Sequence, residues 1–188
     1  MLEVLITIVI LAFGLLGLVG LEAKMQTSEV ESYQRAQAIV LMTDMVDRMN
    51  AQLGSANAIT PGATPAVDGY ASTEVFGTGH TDSSPCPTAA GAARDQCEWS
   101  TALKGAAEAQ GTRNVGAMIG ARGCITRLQT PNTNLGVCTP GIYLVTVAWQ
   151  GMTMTAAPSA ACGTDSFGDE KYRRAVSTRV VVGLPSCS

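Results

Sequence analysis

Residues 4 to 21, VLITIVILAFGLLGLVGL, are 18 consecutive uncharged positions in which Thr7 is the one polar side chain. As a helix this run covers about 27 Å, close to the roughly 30 Å of a bilayer's hydrocarbon core, so the pattern predicts a membrane span. A cleavable secretory signal fits less well, because no basic segment precedes the run and no small-residue cleavage site follows it. The stretch from Glu22 to about Leu53 contains no proline and no glycine before Gly54. Its apolar positions Ile39, Met42, Val46, Met49 and Leu53 recur at spacings of three and four, and Glu31/Arg35 and Asp44/Arg48 are acid-then-base pairs four apart. The two parts together predict one helix over residues 1–53, about 75 Å long, with a lipid-soluble half (4–21) and an amphipathic half (22–53).

Beyond Gly54 the periodicity changes. Residues 54–94 read as loop, with PGATP and HTDSSPCP as turn material. The segment 95–110, DQCEWSTALKGAAEAQ, reads as a short helix with Asp95 as its cap and Trp99, Leu103 and Ala107 on one face. Ala117 to Leu128, Ile142 to Gln150 and Arg173 to Val182 have strand composition; Tyr143, Val145, Val147 and Trp149 alternate with Ile142, Leu144, Thr146 and Ala148. PNTNLG supplies the turn between the first two strands. The expected architecture is α+β, a long N-terminal helix packed on a C-terminal antiparallel sheet within residues 117–188, in a ladle shape.

Composition narrows the function. The 188 residues carry 12 basic and 15 acidic side chains, a formal charge of -3, which provides no electrostatic footprint for nucleic acid. A single histidine removes most histidine-based catalysis and most zinc chemistry. His80, Asp82, Ser83 and Ser84 are adjacent in sequence, but adjacency in a solvated loop is not triad geometry. Asp165, Asp169 and Glu170 are oxygen ligands of the kind calcium takes, at spacings that fit no EF-hand. No glycine-rich phosphate loop with lysine is present. The expectation is therefore a protein that is not an enzyme and holds no cofactor and no metal, with Trp99 and Trp149 in the core.

Cys86, Cys97, Cys124, Cys138, Cys162 and Cys187 all follow the apolar run, are even in number and include no C-x-x-C pair, the usage of disulfides in an oxidising compartment. Six cysteines permit 15 pairings. The expected pairing is sequential, Cys86–Cys97, Cys124–Cys138 and Cys162–Cys187, since these loops are short.

Two features of the apolar half bear on assembly. Glu3 puts a carboxylate at the start of an apolar helix, where bilayer depth costs about 2.5–3.5 kcal/mol and the helix dipole returns about 0.3–1 kcal/mol. It either pairs with a cation of a neighbouring subunit, such as a terminal amine, or sits among headgroups. Gly14, Gly17 and Gly20 each cost about 1 kcal/mol of helix propensity relative to alanine. They serve either local unwinding as the subunit leaves the bilayer or close helix packing.

The run MLEVLITIVILAFGLLGLVGLEAKMQ and its continuation ESYQRAQAIVLMTDMVDRMNA resemble the N-terminal helix of type IV pilins, most closely the PilV-type minor pilins. The LEVL opening, the FGLLGL segment and the Tyr-Gln-Arg-Ala and Asp-Met-Val-Asp-Arg stretches carry the resemblance, and RGCI to GIYLVTVAWQG adds to it. The resemblance implies a structural minor pilin active in pilus assembly and priming and in adhesion. It also implies an inner-membrane form with a periplasmic C-terminal domain, an extracellular pilus after assembly, and a Gram-negative source. The partners implied are other minor and major pilins through the N-terminal helix, the inner-membrane assembly machinery, a tip adhesin, and membrane lipid before assembly. Glu3 would set subunit register. Pilin precursors have a basic leader ending in glycine ahead of the methylated N-terminus; here Met1 stands inside that motif, so the expectation is an engineered or mis-started form, or a mature form lacking its first residues. A type II secretion pseudopilin and a membrane-anchored periplasmic binding module are the alternative readings.

Overall fold

Residues 2–55, 65–105, 109–110, 113–114, 118–134 and 136–184 are described by a computed structural model of the chain. Helix α1 runs unbroken from Leu2 to Ser55, through all three glycines of the apolar half. The hydroxyls of its polar residues turn back onto the helix: Thr7 donates to the Val4 carbonyl at 2.9 Å and Thr27 to that of Ala23 at 2.8 Å, so neither needs water.

Among the described residues, the C-terminal domain clasps only the second half of α1. Strands β1 (Phe76–Gly77), β4 (Arg122–Gln129), β5 (Gly141–Gln150) and β6 (Arg173–Val182) form a four-stranded antiparallel sheet in the order β1-β4-β5-β6. Helix α2 (Ala92–Leu103) packs beside α1, and β2 (Ala109–Gln110) with β3 (Arg113–Asn114) makes a separate small hairpin. This is the expected α+β ladle of a pilin-like fold. One face of β5, carrying Tyr143, Val145, Val147 and Trp149, buries against Ala38, Met42, Met45 and Met49 of α1.

The buried stripe of α1 differs from the one expected. Gln34, Ala38, Met42, Met45 and Met49 face the sheet, whereas Ile39 is 41% exposed. Helical rotation places position 38 rather than 39 in line with 42, 45 and 49. Leu53 lies outside the described side chains.

Three elements depart from the sequence reading. Residues 54–94 are more than loop: a 3-10 turn at Ala66–Tyr70 buries Val67 and Tyr70, and β1 adds the buried Phe76 to the core. Residues 56–64 of that segment lie outside the described residues. Helix α2 spans 92–103 and not 95–110. Gly91 caps its start, Gly105 at φ 82° turns the chain after Lys104, and Asp95 sits inside the first turn where Tyr70 and Arg48 take its carboxylate. Trp99 and Leu103 do face the core, while Ala107 lies outside the described residues. Finally β4 starts at Arg122 rather than near 117, because Gly120 at φ 64° turns the chain just before it.

Disulfide pairing is corrected in part. Cys86 joins Cys97, as expected, but Cys124 joins Cys162, which overturns both Cys124–Cys138 and Cys162–Cys187. Cys124 stands opposite Thr146, five strand residues along β5 from Gly141, whereas Cys138 precedes Gly141. That separation is about 17 Å, too far for a bridge that needs Cα atoms within about 7 Å. The long connection 151–172 instead folds over the sheet face away from α1, where Cys162 and Phe167 bury Ala148 beside Cys124 and Ala175. Arg173 anchors this flap, donating to the Cys162 carbonyl at 3.2 Å, to Pro158 O at 3.1 Å and to Glu170 at 2.5 Å. Cys138 is also disulfide-bonded, and its partner lies outside the described residues, as does Cys187.

Candidate assembly surface and its anchoring site

Every large apolar side chain from Leu2 to Leu21 is exposed, from 44% at Val9 to 77% at Leu2, and the most apolar 18-residue window has a mean hydropathy of 2.9 with none of it buried. Soluble monomers rarely expose a contiguous apolar surface beyond a few hundred Å², so this half of α1 is built to be covered. The chain thus has one N-terminal helix of a length and composition that could span a membrane, followed by a disulfide-bearing domain.

Glu3 lies in the first turn of α1, exposed, and no ion pair within the described residues reaches it. Gly14, Gly17 and Gly20 lie on open helix surface, where an added Cβ would meet nothing within 4 Å. Among the described residues, none packs against them.

Where the covered half of α1 begins, Glu31 binds the domain. Its Oε1 accepts hydrogen bonds from the backbone N–H of Met152 at 3.1 Å, from Thr153 N–H at 3.0 Å and Oγ1 at 2.9 Å, and from Arg174 at 3.3 Å. The expected Glu31–Arg35 pair is therefore replaced. Two backbone donors and a guanidinium converging on one oxygen outweigh an exposed i,i+4 pair, which is worth about 0.3–0.5 kcal/mol. A cleft of about 200 Å³ lined by Ser28, Glu31, Ser32, Arg35, Trp149 and Arg174 opens beside it. Higher on α1, Arg48 keeps its expected partner Asp44 at 3.0 Å and adds Glu98 of α2 at 2.6 Å. Trp99 donates to the Leu41 carbonyl at 2.8 Å. Burial, with the Asp95 carboxylate beside it, pushes the Tyr70 phenol well above its ordinary range.

The residues weighed for chemistry turn out to hold structure together. His80 Nδ1 lies 2.7 Å from Asp82 Oδ1, while Asp82 Oδ2 accepts from Ser100 Oγ at 2.9 Å and from Lys104. The segment is thus fastened to α2 and is not the solvated loop expected. Ser100 is bonded to the carboxylate and not to the imidazole, so it is not paired with His80 in the manner of a nucleophile and its base. Ser83 lies against the disulfide, its Oγ 3.7 Å from Cys97 Sγ, and Ser84 precedes a cis proline. In the last cysteine loop Glu170 accepts from Asp165 N–H at 2.8 Å and pairs with Arg173, and Asp169 caps the following turn by accepting from Lys171 N–H at 2.9 Å. Among the described residues no group of three or more His, Cys, Asp or Glu could hold a metal ion.

Burial pushes the Asp82 carboxyl up, but Lys104, Ser100 and His80 outweigh it and hold it below its usual value. A carboxylate with a lowered folded-state pKa contributes stability that is present above the ordinary aspartate range and lost as pH falls through the lowered value. Asp82→Asn should destabilise the domain by about 2 kcal/mol at neutral pH and remove this acid-dependent component. Denaturation midpoints of both proteins at about pH 7 and about pH 3 check it: the gap should narrow in acid.

No family model matches the chain, and no curated protein or solved structure matches it either.

Proposed function

We propose that this chain is a structural minor pilin of a type IV pilus, taking part in pilus assembly and priming and in adhesion. Before assembly residues 2–21 cross the inner membrane of a Gram-negative cell and the disulfide-bonded domain sits in the periplasm; after assembly the same residues are buried among the helices of other minor and major pilins. The observation that carries this reading is the division of α1: one continuous helix, exposed over its first 20 residues with no tertiary partner among the described residues, and locked to a disulfide-bonded sheet from Glu31 onward. An enzyme or a binding module held at a membrane needs an anchor but not a rigid, continuous rod joining anchor to domain. A filament needs that rod, because the domain's position on the outside is then set by helix packing on the inside.

The mechanism is assembly by exchange of apolar contacts. Lipid and neighbouring helices are equally apolar, so burial supplies little preference between them, and polar groups have to fix register. Glu3 is the carboxylate in the apolar stretch available to pair with a neighbour's terminal amine. Glu3→Ala should leave membrane insertion intact and lower incorporation into filaments roughly tenfold or more, given the energy of an unpaired charge at that depth. Immunoblots of sheared filaments and of membranes from the same cells provide the ratio, and a variant that enters filaments as well as the native chain would remove Glu3 from the mechanism. A pseudopilin or a membrane-anchored module would be recovered from membranes only.

A further inference from the structure

In the described part of the C-terminal domain, large apolar side chains are exposed at the two ends of the sheet. Leu128, Val137 and Val181 lie at one end; Ile119 (53%), Met152 (47%) and Met154 (56%) lie at the other. The second end is where β4 begins, β5 stops and β6 starts, next to Glu31 of α1. Gln150 N–H donates to the Ile119 carbonyl at 3.0 Å, which brings Ile119 beside the end of β5. The loop that follows is held firmly: Gly151 N–H donates to Tyr172 O at 2.8 Å, Thr155 N–H to Lys171 O at 2.9 Å, and Arg174 to Thr153 O at 2.6 Å. Met152 and Met154 are therefore presented by a fixed backbone, with the exposed Lys171 alongside.

Helix geometry states where this end sits relative to the apolar run. Glu31 is ten residues beyond Leu21, about 15 Å along the axis, and helical side chains lean toward the N-terminus, which puts the Glu31 carboxylate and its two backbone donors lower still. The polar layer of a bilayer extends about 5–7 Å beyond the hydrocarbon on each side. With the usual helix tilt of about 20°, a sheet packed about 10 Å from the helix axis drops by roughly 3 Å on the leaning side. Two flexible methionine side chains cover the remaining gap.

We propose that Ile119, Met152 and Met154 form a lipid-contacting foot, which seats the domain on the headgroup layer of the bilayer that residues 2–21 cross. Methionine suits the role because its unbranched thioether adapts to an irregular apolar surface, and Lys171 adds attraction to anionic lipid. The foot limits the domain's tilt in the membrane-held state and has to detach when the subunit leaves. It rests on the reading that residues 2–21 span a bilayer.

The test uses the full chain in vesicles of phosphatidylethanolamine and phosphatidylglycerol, with and without lipids whose acyl chains are brominated both near the headgroup end and near the methyl end, so that quenchers lie at both depths. Tryptophan is introduced singly at Phe13, Met154 and Val137, all exposed, over the common background of the buried Trp99 and Trp149. The added emission should fall about twofold in brominated vesicles for Phe13→Trp and Met154→Trp and stay unchanged for Val137→Trp at the far end. Quenching of Phe13→Trp with Met154→Trp no more quenched than Val137→Trp overturns the foot while leaving the span intact. Equal quenching at all three positions also overturns it, since the domain would then lie on the membrane without a defined end. An unquenched Phe13→Trp overturns the span itself, and the foot with it.

Discussion

Alanine in place of Gly123 is expected to cost the C-terminal domain about 3 kcal/mol or more, a large fraction of the 5–15 kcal/mol by which ordinary domains are stable. A Cβ at this position of β4 would lie 2.2 Å from Trp99 Cη2, 2.5 Å from Cζ3 and 2.7 Å from Leu103 Cδ1. Neither neighbour can yield cheaply. Trp99 is fully buried and its indole N–H is fixed on the Leu41 carbonyl, so moving the ring would also break one of the bonds between α2 and α1. Gly17→Ala provides the contrast, because nothing lies near its Cβ and alanine raises helix propensity there by about 1 kcal/mol. Denaturation of the full chain in detergent, followed by tryptophan emission, should show a large loss for Gly123→Ala and none for Gly17→Ala.

The second large effect concerns the bridge between Cys124 and Cys162. It closes a loop with a sequence separation of 38, worth about 4 kcal/mol on a chain-entropy model, and it pins the 151–172 flap over the sheet face away from α1. Cys162→Ser should lower the domain's stability by about that amount and reduce its level in cells. The same variant distinguishes the pairings: alkylation without reduction, followed by peptide mapping, should label Cys124. Labelling of Cys187 instead would restore the sequential pattern.

How far these features were legible in the sequence depends on their range. The helix from Leu2 onward, its division at Leu21 and the strands at 141–150 and 173–182 follow from local periodicity, which is where propensity and burial agree. The Asp44–Arg48 pair was legible for the same reason, as both residues lie on one helix. Glu31 was misassigned because its partners are 121 to 143 residues away, and no local spacing signals that two backbone N–H groups will converge on it. Of the disulfides, Cys86–Cys97 was legible and the other two pairings failed similarly: short separation favours a pairing only when the intervening chain turns back, and β4 instead carries Cys124 away from Cys138 along its length. Asp95 had the residue type of a cap, yet Tyr70 and Arg48 claim it from outside the helix. The cluster at His80 was identifiable as polar, while its use as a fastener to Ser100 and Lys104 became visible only once α2 lay beside it.

On the function proposed above, residues 2–21 leave a bilayer to become the core of a filament. Mass spectrometry of the N-terminal peptide tests it most directly, on sheared surface filaments and on inner membranes from cells expressing the full native gene. A processed, methylated N-terminal peptide in the filament fraction is the predicted result. Recovery of the protein from membranes alone, with an unprocessed N-terminus, would contradict the account and make the chain an anchored periplasmic domain.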